Sequence, residues 1–223
     1  DVFSMLTQRP KRGPWTEITS VAPKPNPPAS IKEGIRVTFV NHSTFLIQVA
    51  GLNILTDPVW SKRVSPFQFA GPKRMRPPGL KMEQLPKIDL ILLSHNHYDH
   101  LDLSTVQKLV KEHQPQIVTP LGVGQFIKRR ANGKATDLDW WESFAFSEQI
   151  KISAVPAQHF SGRGILDRDA TLWCGYIIDT PDQKIYFAGD SGYGSFFKTI
   201  GERHPGIDLA LLPIGAYLPI WFM

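Results

Sequence analysis

The sequence predicts an α/β (α+β) protein in which two β-sheets pack as a sandwich with helices outside. The chain has 223 residues, which is enough for one sizeable domain with its own core. Short β-like runs dominate both halves, and helical patterns are interspersed among them. In each half a buried strand leads into a polar cluster and then into a helix. This order favours a layered fold over a bundle or a barrel.

The first half begins with a segment that we do not expect to form a domain. Residues 1–34 contain six prolines and little hydrophobic periodicity, which predicts an extended arm. Three β-like runs follow, "IRVTFV", "TFLIQV" and "LNILTD". Residues 58–87 then form a long irregular insertion, and such loops are usually functional or disordered. "KIDLILLS" predicts a strand, and Leu103–His113 has helical spacing.

The second half alternates strands and helices in the same way. "QIVTP" predicts a strand and "LGVGQFIKRRA" a helix, and "KISAVPAQH" predicts a strand that ends at His159. "LWCGYIIDT" and "QKIYFAGD" predict a hairpin across Pro181–Asp182. A helix near residues 194–203 leads to "IDLALLPIG", which we expect to be a further buried strand.

Composition excludes several classes of protein. No run of about 18 apolar residues predicts a membrane-spanning helix, and the start shows no signal-peptide pattern. The chain opens on Asp1, so we expect that an upstream segment has been removed. The single cysteine, Cys174, excludes an internal disulfide framework and a thiolate-rich zinc finger. It is compatible with a reducing compartment, and we expect a cytoplasmic protein.

The chain is basic, with a net charge of +5 and a pI near 9.3. The basic residues cluster in "RPKR", "SKR", "PKRMR" and "KRR". A solvated surface is the simplest explanation. The alternative is a surface that meets anionic phosphate, as lipid headgroup, nucleic acid or phosphorylated metabolite. Composition does not choose among these partners. Nucleic acid is the least favoured, because the basic residues do not form a continuous groove pattern in the sequence.

The stretch "SHNHYDHLD" places three of the seven histidines within six residues, at the end of a predicted strand. His95 and His97 are two residues apart, so on an extended loop their side chains converge on one ion. Asp99 and His100 follow on the next turn and serve a neighbouring position. One short loop can therefore supply two adjacent metals. Imidazole and carboxylate without thiolate suit Zn²⁺, with Fe or Mn²⁺ as alternatives.

Further candidate ligands follow other predicted strands. His159 ends one strand and Asp190 ends "KIYFAGD", and a carboxylate such as Asp190 can bridge two ions. Asp57 ends "LNILTD" and could accept the N–H of a ligating histidine, or cap the turn before Pro58. His42, in "NHST", lies near the same site or caps its own turn.

These residues resemble the metallo-β-lactamase superfamily, which shares the H-x-H-x-D-H loop, a later histidine at a strand end and an "AGD" aspartate. The segments "ILTDPVWSKRVSPFQFAGPKRMRPPG", "LLSHNHYDHLD", "AQHFSGRG" and "YFAGDSGYG" are similar to the branch of N-acyl-phosphatidylethanolamine-hydrolysing phospholipase D and its bacterial relatives. The similarity runs from about residue 35 to 217. It implies a four-layer αββα sandwich over residues 35–223.

The resemblance also implies a division of roles among the candidate ligands. His95, His97 and His159 would hold one zinc, Asp99 and His100 the other, and Asp190 would bridge the two. Family members carry one more histidine after the strand equivalent to "LALLPIGAY", and this chain has none there. We therefore expect a chain that is truncated at its C-terminus. Leu218 and Ile220 also depart from the acidic and basic residues usual in relatives.

The function implied is metal-assisted hydrolysis of a phosphodiester by a dizinc-activated hydroxide, with Asp99 as the catalytic residue that orients it. The partner would be a phospholipid or another small phosphodiester, with peripheral membrane contact and no nucleic acid. The insertion at 59–79, with Lys73, Arg74 and Arg76, would contact an acyl chain or phosphate. A lactonase or esterase acting on a phosphorylated small molecule, a non-catalytic binding relative and a homo-oligomer stay open.

Overall fold

The computed structural model describes residues 25–67 and 69–215. Most of the predicted N-terminal arm, residues 1–24, lies outside the described residues, as do Leu218 and Ile220. The described part of the arm, residues 25–34, has no helix or strand. It is held against the domain by side-chain amides: Gln48 donates to the carbonyl of Pro28 at 2.8 Å, and Asn53 to that of Ala29 at 2.7 Å.

Two β-sheets form the centre of the fold. The first contains β1 (Ile35–Asn41), β2 (Thr44–Val49), β3 (Leu52–Thr56), β4 (Leu90–Leu92), β5 (Gln116–Pro120) and β6 (Lys134–Leu138), in that spatial order. Its first three strands are antiparallel, and the strands from β3 to β6 are parallel. The second has the order β11-β10-β9-β8-β7, with β7 (Ser143–Ala145), β8 (Lys151–Val155), β9 (Gly175–Asp179), β10 (Lys184–Phe187) and β11 (Leu209–Leu211).

Three helices complete the layers. Helices α1 (Leu103–His113) and α2 (Val123–Ala131) pack on the outer face of the first sheet, where Val106, Leu109 and Ile127 are fully buried. Helix α3 (Phe196–Arg203) packs on the second sheet through Ile200. A second apolar core fills the space between the sheets. The described residues thus form the predicted αββα sandwich, and the fold class is confirmed.

One hydrogen bond crosses the core between the sheets. The Tyr176 hydroxyl, on β9, donates to the carbonyl of Leu93 at 2.8 Å and lies 3.3 Å from that of Val118. Tyr176 is fully buried. A buried hydroxyl without a partner would cost stability, so this residue fixes the position of one sheet relative to the other.

The insertion at 58–87 is irregular, as predicted, but it is attached at several points. The Asp102 carboxylate, which caps α1 by accepting from Thr105 N, also accepts from the backbone N–H groups of Trp60 and Ser61. Arg74 donates to the carbonyls of Val59 and Ser61 at 3.1 and 2.8 Å. The partly buried guanidinium of Arg74 therefore braces the base of the insertion, and the contact of this insertion with an acyl chain or phosphate stays a prediction.

Three strand predictions need correction. The strand predicted to reach His159 ends at Val155, because Pro156 has no N–H to continue the ladder. The strand before Asp190 ends at Phe187. The last strand, β11, was expected to be buried, yet Leu209 and Leu211 are only partly buried and Ala210 is exposed, because β11 is the edge of its sheet. None of the described helices has the length and apolar character to span a bilayer.

The hydroxyl of Tyr176 provides a test of the sandwich. Tyr176→Phe should lower the free energy of unfolding by about 1–2 kcal/mol, because the buried carbonyl of Leu93 loses its donor. Tyr193→Phe is the matched control, since Tyr193 is 90% exposed, and it should change stability by less than about 0.5 kcal/mol. Urea denaturation measures both, and equal midpoints for the two variants would contradict the assigned role.

Candidate metal centre

The predicted site residues meet at one edge of the sandwich, beyond the ends of the strands. The loop from His95 to His100 connects β4 to α1, and Asp57 directly follows the neighbouring strand β3. His159 and Asp190 reach the same edge from β8 and β10 of the other sheet. His42 lies in the β1–β2 turn. Parallel strands present their carboxyl ends together, which is why residues distant in sequence converge here.

His95, His97 and His159 form the first of two groups able to hold a metal ion. His95 Nε2 lies 2.8 Å from His97 Nδ1, and His159 Nε2 lies 3.2 Å from the same atom. Burial lowers the pKa of all three histidines, and that of His159 falls to about 4. These rings are therefore neutral at neutral pH, the form in which imidazole binds a metal.

His42, His100 and Asp190 form the second group. His100 Nε2 lies 3.0 Å from His42 Nε2 and 3.2 Å from Asp190 Oδ2. Asp190 Oδ2 is also 3.9 Å from His159 Nε2, so this carboxylate lies between the two groups. That position is the one that the sequence assigned to a bridging ligand. His42 had been placed near the site or at a turn cap, whereas its ring points into this group.

Asp99 lies beside the second group on its exposed side. Its Oδ2 is 3.4 Å from His42 Nε2, and 44% of its side chain is exposed. Burial raises the pKa of Asp99, but the hydrogen bond from His42 and the charges of His100 and His42 outweigh burial and hold that pKa below its ordinary value. Asp99 is therefore an ionised carboxylate at neutral pH, in reach of a ligand or of solvent.

One buried carboxylate, that of Asp57, connects the two groups. Asp57 Oδ2 is 2.7 Å from His100 Nδ1, and the side chain is fully buried. Ser94 donates its N–H to Oδ1 and its hydroxyl to Oδ2, both at 2.7 Å. His95 Nδ1 lies 2.9 Å from the same Ser94 hydroxyl oxygen. Because that hydroxyl gives its proton to Asp57, it accepts from His95. Asp57 thus orients His100 directly and His95 through Ser94.

The backbone around this connection is tightly constrained. His42 and Asp57 have φ values of 41° and 35°, in the left-handed region that non-glycine residues seldom adopt. Gly189 has φ 62°, and a Cβ at this position would meet the Ser94 Cβ at 2.6 Å. The "AGD" glycine is therefore required by the close approach of Ser94, and the strained turns aim His42 and Asp57 into the site.

A further set of contacts holds the metal-binding loop from outside. Arg163 donates through Nη1 to the carbonyls of Asn96 at 2.7 Å and Leu101 at 2.9 Å, and its guanidinium lies 3.9 Å from the Tyr98 ring centroid. The N–H of Gly162 donates to Asn96 Oδ1 at 2.7 Å. Sequence reasoning missed Ser94, Asn96 and Arg163. The only sequence feature that points to them is their position beside or between the predicted ligands.

His100 differs electrostatically from the other histidines. Burial lowers its pKa, but the carboxylates of Asp57 and Asp190 outweigh burial and raise that pKa well above its ordinary value. Both carboxylates face the ring, Asp57 at Nδ1 and Asp190 at Nε2. Without a metal, His100 is therefore an imidazolium. The Nε2 proton is the one that a bound cation would replace.

The donor set fits a transition-metal site. The two groups together contain five imidazoles and the Asp190 carboxylate, with the Asp99 carboxylate beside them, and the single cysteine, Cys174, is in neither group. Imidazole nitrogen with carboxylate oxygen suits Zn²⁺, Fe or Mn²⁺. A carboxylate–histidine contact behind His100 is the outer arrangement typical of such sites. The residues present can thus hold one metal ion in each group.

Two sheets flanked by helices, with histidines and aspartates grouped at one edge, are the architecture of the metallo-β-lactamase fold. The chain belongs to the β-lactamase superfamily, because the model of the β-lactamase superfamily domain matches residues 52–223. The solved structure of Igni18, a metallo hydrolase from Ignicoccus hospitalis, shares the fold. It has a TM-score of 0.63 and 22% identity, with 82% of this chain and 72% of that chain covered.

Within the superfamily, curated relatives are considerably more similar in sequence. N-acyl-phosphatidylethanolamine-hydrolyzing phospholipase D 1 of Caenorhabditis elegans is 41% identical over 203 residues, covering 86% of this chain and 57% of that protein. An uncharacterized protein of Mycobacterium tuberculosis is 42% identical over 189 residues, covering 84% and 50%. The mitochondrial N-acyl-phosphatidylethanolamine-hydrolyzing phospholipase D of Saccharomyces cerevisiae is 39% identical over 177 residues, covering 77% and 38%. The chain spans about half the length of these relatives.

The Asp57–Ser94 connection predicts two different metal-binding defects. Asp57→Asn should weaken zinc binding about 10–100-fold in both groups, because an amide must turn its NH₂ toward Ser94 or His100, which are donors themselves. Ser94→Ala should weaken only the group that contains His95. Competition with a fluorescent zinc chelator measures both affinities.

Asp137→Asn is the matched control for that experiment. Asp137 accepts from Gly124 N and the Thr119 hydroxyl, and belongs to neither metal group. Its replacement should leave both zinc affinities unchanged. Equal losses at both groups in Ser94→Ala would show that the two histidines are not oriented separately.

The contrast between the histidines predicts a pH effect. The pKa of His100 is raised, so this ring is protonated at neutral pH and must lose a proton to bind metal. The pKa values of His95, His97 and His159 are lowered, so these rings are already neutral. Zinc titration at pH 7 should release about one proton at the second group and almost none at the first. Calorimetry in buffers of different ionisation enthalpy measures this, and similar release at both groups would contradict it.

Proposed function

We propose that the chain carries the active site of a metal-dependent phosphodiesterase that hydrolyses an N-acyl-phosphatidylethanolamine or a similar phospholipid with two zinc ions. The observation that carries this proposal is the pair of adjacent histidine groups with Asp190 between them. Two neighbouring cations are the usual device for in-line displacement at phosphorus. The 41% identity to a relative named for this reaction supports the choice of substrate.

The ligand roles that we propose follow the geometry. His95 Nε2, His97 Nδ1 and His159 Nε2 would hold one ion. His100 Nε2 with Asp99 would hold the other, and Asp190 would contact both. His42 would complete the second set, since its Nε2 lies within 3.0 Å of His100 Nε2 and 3.4 Å of Asp99 Oδ2. Asp57 and Ser94 would fix the tautomers of His100 and His95 from behind.

The cations, when bound, would lower the pKa of water and stabilise negative charge on the phosphoryl oxygens. The chain's own residues supply the remainder. Asp99 is ionised and partly exposed, so we assign it to orient the attacking water and accept its proton. Attack at phosphorus would break the bond to the N-acylethanolamine oxygen and leave phosphatidate. Burial of the ligand residues on their inner side keeps them in one arrangement between turnovers.

Loss of single ligands tests the reaction. In the protein at its natural length, His95→Ala and His100→Ala should each lower kcat/KM for N-acyl-phosphatidylethanolamine about a thousandfold or more, because several kcal/mol of charge stabilisation disappear. His204→Ala is the matched control, since this histidine ends α3 outside both groups. Chromatography of released phosphatidate measures the rates.

The same assay separates the proposal from its alternatives. Turnover of a lactone or carboxylic ester of a phosphorylated compound, with no phosphatidate released, would replace the phosphodiesterase by another hydrolase. Zinc binding without turnover of any of these substrates would favour a non-catalytic relative. Metal content by mass spectrometry should show two ions per chain, and one ion would remove the two-cation part of the proposal.

A further inference from the structure

Two aliphatic side chains near the metal centre are almost wholly exposed. Ile165 and Leu166, adjacent in sequence, are 97% and 99% exposed. Burying a side chain of this kind stabilises a protein by about 1.5–3 kcal/mol, and leaving two neighbours in water forgoes that gain. Single exposed apolar residues are common, but a neighbouring pair at a loop tip indicates a contact with something else.

The loop that carries them has a defined structure. Asp167 Oδ1 accepts from the N–H of Arg163 at 3.0 Å and of Gly164 at 2.6 Å, which closes a turn around the tip. At the base, Asp169 N donates to the carbonyl of Ser161 at 2.9 Å. The apolar pair is therefore held outward by its own turn. We call residues 163–167 the first tip.

The first tip is attached to the metal-binding loop and shares a cavity with it. Arg163, at its base, donates to the carbonyls of Asn96 and Leu101. A cavity of about 680 Å³ is lined by Arg163 and Asp167 of the tip, and by Asn96 and Tyr98 of the metal-binding loop. The first tip and the loop that carries His95 and His97 are therefore walls of one cavity, which reaches that loop at Asn96 and Tyr98.

The insertion supplies the other side of this cavity. Arg63, Ser65 and Pro66 line it, and Phe67 follows directly. Phe67 and Phe69 are 59% and 83% exposed, with ring centroids 5.3 Å apart. We call the described residues 63–67 and 69 the second tip. Its apolar groups are aromatic, the type that lies at the boundary between lipid headgroups and acyl chains.

The formal charges within the insertion that carries the second tip are all of one sign. From Pro58 to Met82 the sequence has no acidic residue and six basic ones: Lys62, Arg63, Lys73, Arg74, Arg76 and Lys81. Arg130, from α2, adds another cation to the cavity wall. Basic residues beside exposed aromatic and aliphatic side chains complement a surface that is anionic outside and apolar beneath. A bilayer with anionic phospholipids is such a surface.

We propose that the two tips together form a docking surface for an anionic phospholipid bilayer. Ile165, Leu166, Phe67 and Phe69 enter the interfacial region, and the exposed basic residues Lys62, Arg76 and Lys81 contact headgroup phosphates. The mouth of the shared cavity then faces the bilayer, so that a lipid reaches the metal-binding loop without crossing bulk water. The proposal rests on the proposed function in one respect, namely that the substrate is a phospholipid.

Vesicle binding tests the docking surface. The purified protein is sedimented with vesicles of phosphatidylcholine plus phosphatidylglycerol, and with vesicles of phosphatidylcholine alone. Binding should favour the anionic vesicles and weaken with added salt. Ile165→Ser/Leu166→Ser and Phe67→Ser/Phe69→Ser should each lower the partition coefficient about tenfold or more, since apolar area no longer enters the interface.

Two measurements keep the interpretation unambiguous. Ile214→Ser is the matched control, because Ile214 is 83% exposed but belongs to neither tip, and it should bind vesicles as the unmodified chain does. All variants should hydrolyse the water-soluble diester bis(p-nitrophenyl) phosphate at the unmodified rate. A loss of that activity together with vesicle binding would show that the substitutions disturb the fold, and it would overturn the assignment of the tips.

The remaining outcomes separate docking from catalysis. If the unmodified protein binds anionic vesicles through the tips but releases no phosphatidate, docking stands and the proposed function fails. If dispersed phospholipid is hydrolysed while both tip variants bind vesicles like the unmodified protein, docking is overturned and the function stands. If the variants change only the oligomeric state in sedimentation velocity, the tips contact a second copy of the chain and the bilayer proposal is wrong.

Discussion

The carboxylate of Asp57 is the constraint on which the candidate site depends. It is fully buried, and three donors point at its two oxygens: the Ser94 N–H, the Ser94 hydroxyl and His100 Nδ1. A buried charge of this kind is tolerated only when its hydrogen bonds are satisfied. Satisfying them fixes the loop after β4, where the metal-binding residues begin. The hydrogen bonds that stabilise the buried Asp57 carboxylate are therefore the same ones that orient His100 directly and His95 through Ser94.

The arrangement of the strands and of the two sheets brings the residues of this corner together. The parallel strands β3 and β4 end side by side, which brings Asp57 to the start of the histidine loop. The second sheet contributes His159 and Asp190 from loops beyond its strands, and Tyr176 fixes its position on the first sheet. The groups thus span an interface between two sheets. Precise packing of that interface is required before the ligands can meet.

Much of the fold and most of the site could be predicted from local patterns. The strand β5 and the helix α1 have the bounds that the sequence predicted, because β5 is a short run buried on both faces and α1 buries one regular face. The H-x-H-x-D-H spacing indicated the metal-binding loop, because these ligands lie within one short segment of the sequence. Strand ends were less predictable. Proline and edge position decided them, as at Pro156 and at β11, and periodicity does not report either.

What the sequence did not predict depends on tertiary geometry. The sequence left His42 either near the site or at a turn cap, and its contact with His100 depends on the left-handed backbone and on the pairing of β1 with β2. The sequence placed Arg74 among residues that contact an acyl chain or phosphate and gave Arg163 no role, yet both donate to backbone carbonyls of neighbouring segments. Long basic side chains can serve as internal braces, and charge in a sequence does not distinguish a brace from a ligand-binding group.

The attachment of the insertion has an evolutionary consequence. Asp102 and Arg74 fasten its base, and an isolated bridge joins Arg63 to Lys73, so that the described residues between them, 64–67 and 69–72, form a closed excursion. Mutations in that excursion leave the histidine loop and the cap of α1 intact. A change in the length or composition of this segment during evolution would therefore alter what overhangs the site, while the hydrogen bonds of Asp102 and Arg74 stay in place.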